Sequence, residues 1–575
     1  MAGDIQHTPS EELRYRKLRS MNPAHPAPLP LQLPPTPQLP QAGPGTANQT
    51  PQAVTVSVAD ALQLAMRHFS AGNRGEVEGL CMKILEVEPE NAEALHLTGV
   101  LAHLAGKQAL ALALIEKAVR LMPSHAQFLY NLGVVWGTLR QLGRALNCYR
   151  AAVANDPNHE AARINLGNAA LEEDHLDEAL AAYGAALAAN PDHFNVVLAK
   201  AIALYASRRF SEALPFYEKA VMLQPTSARA HWEHAHQLLM TRDYARGWQE
   251  YEYRFAAGKD SNVWCYPYPF PKWQGESLAG KTIILHGEQG LGDELMFGTI
   301  YPEIMAEAKA VILCGQPHVT PLLRDSFPGV TVIDQLRADQ DAWTRLPVPW
   351  LGEWQQQHGA IDYQIANGGL PVLRRDAIEK FPARVNYLKS NPSKAALWRD
   401  KLAHLSRFKV GLCWAANPAL QDHVAGKRSR KKSLTLKGLA PLAAVRGVDG
   451  VDGADGVDFV SLQTWEAARQ ADDAPMPIMD CSAGLKDFSD TAALVENLDL
   501  VITCDTSVAH MAGGMGKPVW ILLPWQADWR WHADGTTTEW YPSARLYRQP
   551  GLGDWDAVLA LVCHDLRALA LKERG

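Results

Sequence analysis

No stretch of the 575 residues approaches the roughly 18 consecutive apolar side chains that a membrane-spanning helix needs, so a transmembrane helix is excluded. The opening MAGDIQHTPSEELRYRKLRS has no apolar core of the kind found in a secretory signal peptide, and none is expected. Cysteine is sparse. Eight are scattered at 81, 148, 265, 314, 413, 481, 504 and 563, and none stands in a C-x-x-C pair. That speaks against a zinc ribbon or a disulfide framework and fits a reducing cytoplasm. Positive charge is not in excess either: 55 Lys and Arg stand against 62 Asp and Glu, a formal net charge of −7. A general nucleic-acid binder would carry a strongly basic domain or face. What is present, 47% hydrophobic and 20% charged residues, is ordinary for globular domains, and the length allows about three to five of them.

Residues 1–57 hold eleven prolines and no helical or strand period. Dense proline removes backbone donors, so this leader is read as disordered or polyproline-like. A repeat follows. Pro89, Pro123, Pro157, Pro191 and Pro225 are spaced 34 apart. In the same step run Gly99, Gly133 and Gly167, continued by Ala201 and Ala235; Ala111, Ala145, Ala179 and Ala213; Ile115, Tyr149, Tyr183, Tyr217 and Tyr251; and Ala118, Ala152, Ala186 and Ala220. Small residues suit close helix crossings, the aromatic is expected to fill the gap between repeats, and the proline stops the second helix. Period and residue types resemble the tetratricopeptide repeat. About six repeats are expected over 58–260. The last is irregular, with Gly247 and Arg254 replacing column alanines, and reads as a junction.

Beyond residue 262 the period vanishes. Short apolar runs bounded by Gly and Pro take over: Thr282–Leu285, Ala310–Cys314, Val330–Ile333, Val410–Trp414, Asp458–Leu462, Leu500–Thr503 and Val519–Leu523. Helical stretches lie between several of them, which predicts parallel α/β sheets. The remaining length suits two Rossmann-like halves, 262–405 and 406–575. The tract GVDGVDGADGVD (447–458) reads as a low-complexity insertion whose Asp/Gly spacing only faintly suggests a calcium-binding turn.

Two motifs carry the chemistry. In ILHGEQGLGDELMFG, a strand runs into a turn holding Gly290 and Gly292, then into a helix beginning near Asp293. Glycines let a ligand approach the backbone, and a helix N-terminus offers free N–H groups. The Lys-Ser/Thr of a phosphate-binding P-loop is missing, which disfavours nucleoside triphosphate hydrolysis. Asp293 either pairs with the helix dipole or accepts a proton from an attacking hydroxyl. In LVITCDTSVAHMAGGMGKPVWILLP, a strand ends at Asp505, Thr506 and Ser507, and His510 lies one turn into the following helix. The hydroxyls can cap the helix or hold a diphosphate.

Together with GLCWAANP (411–418), FVSLQ (459–463) and the DWRW…WYPSARLYRQ stretch (528–549), these motifs resemble the heptosyltransferase-type glycosyltransferases of the ADP-heptose:lipopolysaccharide family, and within it a bacterial group that joins N-terminal tetratricopeptide repeats to such a domain. The resemblance implies an α solenoid followed by an α/β region of the GT-B fold, two Rossmann-like domains with the acceptor on the first and a nucleotide sugar on the second. It implies that Asp293 is the catalytic base, with Asp505, Thr506, Ser507 and His510 at the donor diphosphate. Trp414, Asn417 and Gln463 follow strands of the second half on the donor-facing side. Lys431 and Lys432 either neutralise the departing diphosphate or belong to a solvated loop. Sugar-specific contacts of true heptosyltransferases are not evident. Trp525, Trp529 and Trp531 form either a sugar or acceptor platform or part of the core.

His231, Glu233, His234 and His236 crowd one helix, where interface packing is the first reading and a metal bridge the second. Asn131 and Asn165 share a column on the first helix of their repeats, the helix that lines the concave face of such solenoids. An amide there can hold an extended peptide backbone, as the asparagine ladder of protein O-GlcNAc transferases does. The expectation is a cytoplasmic, inverting, metal-independent glycosyltransferase with no cofactor. It would move sugar from a nucleotide-diphosphate sugar to a protein docked on the repeats, by analogy a surface or flagellar protein. The alternatives are a non-enzymatic repeat adaptor with an inactive transferase-like domain, and a transferase acting on lipopolysaccharide core sugar.

Overall fold

The computed structural model describes residues 56–258, 263, 266, 268–335, 349–416, 431–445 and 456–572. Asn417, residues 447–455 of the Asp/Gly tract and all but the last two residues of the proline-rich leader lie outside the described residues. The chain divides into two compact units, with the boundary between Pro225 and Thr226.

The first unit is a run of antiparallel helix pairs: Val58–Ser70 with Arg74–Val87, Ala92–Leu104 with Gln108–Leu121, Ala126–Thr138 with Leu142–Asn155, Glu160–Glu172 with Leu176–Ala189, and Phe194–Ala206 with Phe210–Leu223. Each second helix stops two residues before a column proline, which cannot continue the backbone ladder. The turn inside each pair uses one left-handed residue at the same 34-residue step. It is Gly72 and Gly106 in the first two repeats, then Arg140, Asp174 and Arg208. The column alanines at 111, 145, 179 and 213 have no exposed surface.

The aromatic column also packs within its own repeat. A methyl group placed on Gly133 would sit 2.5 Å from the Tyr149 ring, and one on Gly167 would sit 2.6 Å from Tyr183. Each tyrosine therefore fills the notch left by the glycine of its own repeat, and Tyr149 also reaches Asn165 of the next repeat. The glycine lacks a Cβ, so the ring can lie directly on the helix backbone.

The second unit begins with a sixth helix pair, Ala228–Met240 and Tyr244–Tyr251, extended by a 3₁₀ turn, Glu252–Arg254. Two all-parallel sheets follow. The first contains β1 (Thr282–His286), β2 (Ala310–Gly315), β3 (Thr331–Asp334) and β4 (Tyr363–Ala366) in the order β3-β2-β1-β4. The second contains β5 (Phe408–Cys413), β6 (Val457–Ser461), β7 (Ile478–Asp480), β8 (Leu500–Cys504), β9 (Val519–Leu523) and β10 (Ala544–Arg548) in the order β10-β9-β8-β5-β6-β7. β1, β8 and β9 are buried along their whole length, which is why they read as unbroken apolar runs. Trp414 lies just past the end of β5, not in it. β4, β7 and β10 gave no such run. β7 is three residues long, and β10 (ARLYR) is broken by Arg545 and Arg548.

Numbered from its own first strand, the second sheet has the doubly wound order 3-2-1-4-5-6, and the first has 3-2-1-4. In such sheets the order reverses between strands 1 and 4, and ligands bind outside the carboxyl ends there. Here those points are the ends of β1 and β4 and the ends of β5 and β8.

The sixth helix pair is built into this unit. Trp248 meets the rings of Phe297, Trp529 and Trp540 edge to face at centroid separations of 5.4–6.2 Å, and its indole N–H donates to the Arg375 carbonyl. That packing moves the division one repeat earlier than residue 260.

Candidate functional site

The turn after β1 runs Gly287-Glu288-Gln289-Gly290 and opens the helix Leu291–Phe297. Asp293 reaches back over the helix start: its Oδ2 accepts the Gly290 N–H at 2.9 Å. Its Oδ1 accepts from Arg530 Nη2. Arg530 also donates to Asp528 Oδ1 at 2.6 Å, and its guanidinium lies 4.4 Å from the Trp529 ring. Burial disfavours the guanidinium charge, but Asp293 and Asp528 outweigh it and hold the group above its ordinary value. Its Nε is buried and has no hydrogen-bond partner.

On the other sheet, Thr506 caps the helix Ser507–Gly514 by accepting the Val508 N–H at 3.3 Å. The Ser507 hydroxyl is half-buried and makes no hydrogen bond within the described protein. Asp505 accepts from Lys432 Nζ at 3.1 Å and from the Trp531 indole at 2.9 Å. Burial opposes the Asp505 charge, yet Lys432 pulls the carboxyl below its usual range. Lys432 is raised in turn by Asp505 against its own burial. His510 bonds Tyr541 through Nδ1 at 3.1 Å and stacks on Trp531. Burial pushes its imidazole down to about 4, so it is neutral at pH 7.

The two helix starts meet. A methyl group on Gly292 would lie 2.8 Å from His510 Cδ2 and 3.6 Å from Ser507 Cα. Gly292 is thus what lets the first helix seat against the second. The arrangement brings together a carboxylate, two cations and two helix N-termini with free N–H groups at the switch points of both sheets. The geometry can hold a dianionic group and can present a carboxylate beside it.

Several expected site residues have other roles. Gln463 is buried and saturated: its carbonyl oxygen accepts from the N–H groups of Trp414 (3.1 Å) and Ala415 (2.9 Å), and its amide donates to Ala415 O at 3.0 Å. It ties the end of β6 to the end of β5 and is not free for a donor. Trp414 is 1% exposed and belongs to the core of the second sheet, so it is no donor platform either. Trp529 and Trp531 are buried, which settles them as core, whereas Trp525 is half-buried. Lys431 reaches Gln526 Oε1 at 3.4 Å. Gly290 is the N-cap of its helix.

In the solenoid, Asn131 and Asn165 are 0% and 1% exposed. Asn131 Nδ2 lies 2.7 Å from His96 Nε2 of the preceding repeat, and Asn165 Nδ2 reaches Tyr130 Oη at 3.5 Å. They bond repeat to repeat and do not line an open peptide-binding face. His231 bonds Glu250 and stacks on Tyr253, with His234 3.6 Å from the same carboxylate. Among the described residues no group of three or more His, Cys, Asp or Glu is placed to hold a metal ion.

Sequence reasoning missed Arg530 and Asp528, which complete the site, and Gln289 and Tyr541, which line it. An Asp-x-Arg spacing between two tryptophans was the signal available. It also missed the reach of the sixth helix pair. Gln289 donates to Tyr251 Oη at 2.7 Å, and Arg254 pairs with Glu288, so the turn before Asp293 is held from behind by that pair.

Residues 105–160, 130–174 and 164–231 match the tetratricopeptide repeat family. The N-terminal helix pairs are therefore tetratricopeptide repeats, a scaffold for binding proteins and peptides. Protein FlbA of Caulobacter vibrioides is 27% identical over 348 residues, 58% of this chain and 54% of FlbA, so the match spans about half the length of that relative. Among solved structures, the tetratricopeptide protein YrrB is 25% identical and aligns over 30% of this chain and 90% of its own, with a TM-score of 0.28. PilF of Pseudomonas aeruginosa is 20% identical over 35% and 89%, with a TM-score of 0.31. No helix among the described residues is long and apolar enough to cross a membrane.

Proposed function

We propose that the α/β region is a GT-B glycosyltransferase that moves a sugar from a nucleotide-diphosphate sugar to a protein acceptor held by the repeats. The observation that carries this reading is the junction of Asp293 with Arg530 beside the helix capped by Thr506. A carboxylate, a guanidinium and a capped helix start stand within one set of contacts, which supports the roles of base, counter-charge and diphosphate cradle. The diphosphate would sit on the N–H groups and hydroxyl at the start of the helix Ser507–Gly514, with Lys432 and Arg530 as cations.

Both oxygens of Asp293 are engaged in the structure. The incoming diphosphate carries more charge than one carboxylate and would draw Arg530 away, freeing Oδ1. The acceptor hydroxyl then gives its proton to Asp293 Oδ1 as its oxygen bonds the anomeric carbon. The bond from that carbon to the phosphate oxygen breaks on the opposite face, and the nucleoside diphosphate leaves with the electron pair. Donor before acceptor is the order this implies.

The same pair also gives the adaptor reading its support, because a carboxylate locked to an arginine and a helix N-terminus is adequately explained by structure alone. Asp293→Asn decides between them. Base catalysis is worth about 10²–10⁴-fold, so turnover should fall by that factor while nucleoside diphosphate affinity holds within a few-fold. Near wild-type turnover would remove Asp293 as the base. A wild-type protein inert to a panel of nucleotide sugars, read by hydrolysis and thermal shift, would favour the adaptor.

A further inference from the structure

The structure assigns Trp465 as the stacking platform for the nucleobase of the donor, an inference that rests on the nucleotide-sugar reading above. Trp465 follows β6 by four residues, at the carboxyl edge of the second sheet. It is 61% exposed, an unusual state for the largest apolar side chain. Its backbone is also strained: φ is 63° and ψ is −159°, a region occupied almost solely by glycine.

His532 also occupies that region, and its strain has a visible cause. His532, with φ 62° and ψ 174°, is fully buried and bonded to Glu539 and Tyr244. Trp465 has no such compensation. Its ring meets one aromatic neighbour, His318, edge-on at 6.2 Å and 75°. His318 lies just past the end of β2, at the carboxyl edge of the first sheet. A tryptophan held outward at a cost in backbone strain, facing a residue of the opposite sheet, is arranged for a ligand that enters between them.

Position names the ligand. The reacting end of the donor must lie at Asp293, beside the start of the helix after β8. The diphosphate belongs on that helix. β6 lies two strands from β8, across β5, roughly 10 Å away. A nucleotide running from Asp293 over the end of β8 therefore ends its base near Trp465. The group that arrives there is planar and aromatic, and every nucleobase has a π-face to stack.

The test uses calorimetry on the full-length protein with UDP, ADP, GDP and CDP, and with inorganic pyrophosphate as the probe that lacks a base. Trp465→Ala should weaken the preferred nucleoside diphosphate about 5- to 150-fold, the equivalent of ~1–3 kcal/mol per stacked base, and leave pyrophosphate unchanged. Trp465→Phe should keep most of the affinity. Trp465→Gly should weaken the nucleotide equally and raise the melting temperature, because glycine relieves the backbone. Unchanged nucleotide affinity in Trp465→Ala, or equal losses for nucleotide and pyrophosphate, overturns the platform and leaves the transferase reading standing. No binding of any nucleoside diphosphate to the wild type overturns both.

Discussion

Arg254 and Glu288 form an ion pair in which neither side chain has any exposed surface, with Arg254 Nε 2.8 Å from Glu288 Oε1. Arg254 stands where the repeat pattern calls for alanine, and Glu288 stands in the turn that leads to Asp293. The departure from the repeat is thus the bolt that fixes the sixth helix pair to the reaction turn. Burial raises the Glu288 carboxyl above its ordinary value, with Arg254 pulling the other way.

Removing one partner leaves a buried charge without compensation, which costs about 3–5 kcal/mol, whereas an apolar pair of similar volume is often neutral. Arg254→Leu should lower the calorimetric transition of the α/β unit strongly at pH 7 and less at acid pH, where Glu288 takes up a proton. Arg254→Leu with Glu288→Leu should recover most of the loss. A single variant within the ~0.5 kcal/mol of an ordinary surface change would refute the role given to this pair.

How much of this was visible in the sequence follows from the range of each interaction. The repeats were legible because each needs the same small and aromatic residues at the same step, so one period carries the whole solenoid. The strands buried on both faces showed as apolar runs, and the two Gly- and Ser-rich turns marked the switch points. The Asp293–Arg530 pair was not visible, since its partners are 237 residues apart and meet only when two sheets assemble. Asn131 looked like a surface amide, but its column faces the neighbouring repeat. Gln463 looked like a ligand contact, and nothing local reveals that strand ends use up its amide.

Thr506 and Ser507 should separate by assay. Thr506 spends its hydroxyl on the Val508 N–H, so Thr506→Ala should cost about 1 kcal/mol of stability, typical for a lost N-cap. Ser507 makes no such bond, so Ser507→Ala should leave the melting temperature unchanged. It should weaken nucleoside diphosphate or pyrophosphate by ~1–3 kcal/mol through loss of a hydrogen bond to a charged group. Calorimetry that finds Ser507→Ala binding like wild type would move the diphosphate elsewhere.

Acid should loosen the sixth helix pair from the α/β region at a definite step. Burial works against the Glu539 carboxyl, but the His532 hydrogen bond and Arg242 bring it from about 4.5 down to about 2. Arg242 donates to it at 2.8 Å. Its folded value lies below its unfolded value, so its stabilisation is present above pH 4.5 and is lost as pH falls from there toward 2. Glu539→Gln should flatten the melting-temperature profile in that window and lower it at neutral pH. An unchanged acid limb would assign the loss to other carboxylates.

The repeats should fold without the rest of the chain only if they are cut at the right place. A break near residue 260, where the 34-residue period ends, would carry along a sixth helix pair with buried faces built for the α/β region. Trp248 packs on Trp529 and Trp540, Tyr251 bonds Gln289, and Arg254 is buried against Glu288. Freed of that region, the pair would present two aromatic side chains and a stranded guanidinium to water, an exposed patch of the kind that drives association. A break after Pro225 leaves five helix pairs whose contacts run mainly between neighbours, and terminal repeats in such arrays unfold least when their outer face is polar. Fragment 56–225 should therefore be monomeric by size-exclusion chromatography, with a strongly helical circular dichroism spectrum and a cooperative melt. Fragment 56–260 should self-associate or melt lower. Equal behaviour of the two would mean that the sixth pair is an ordinary repeat and that its contacts with the α/β region contribute little to its stability.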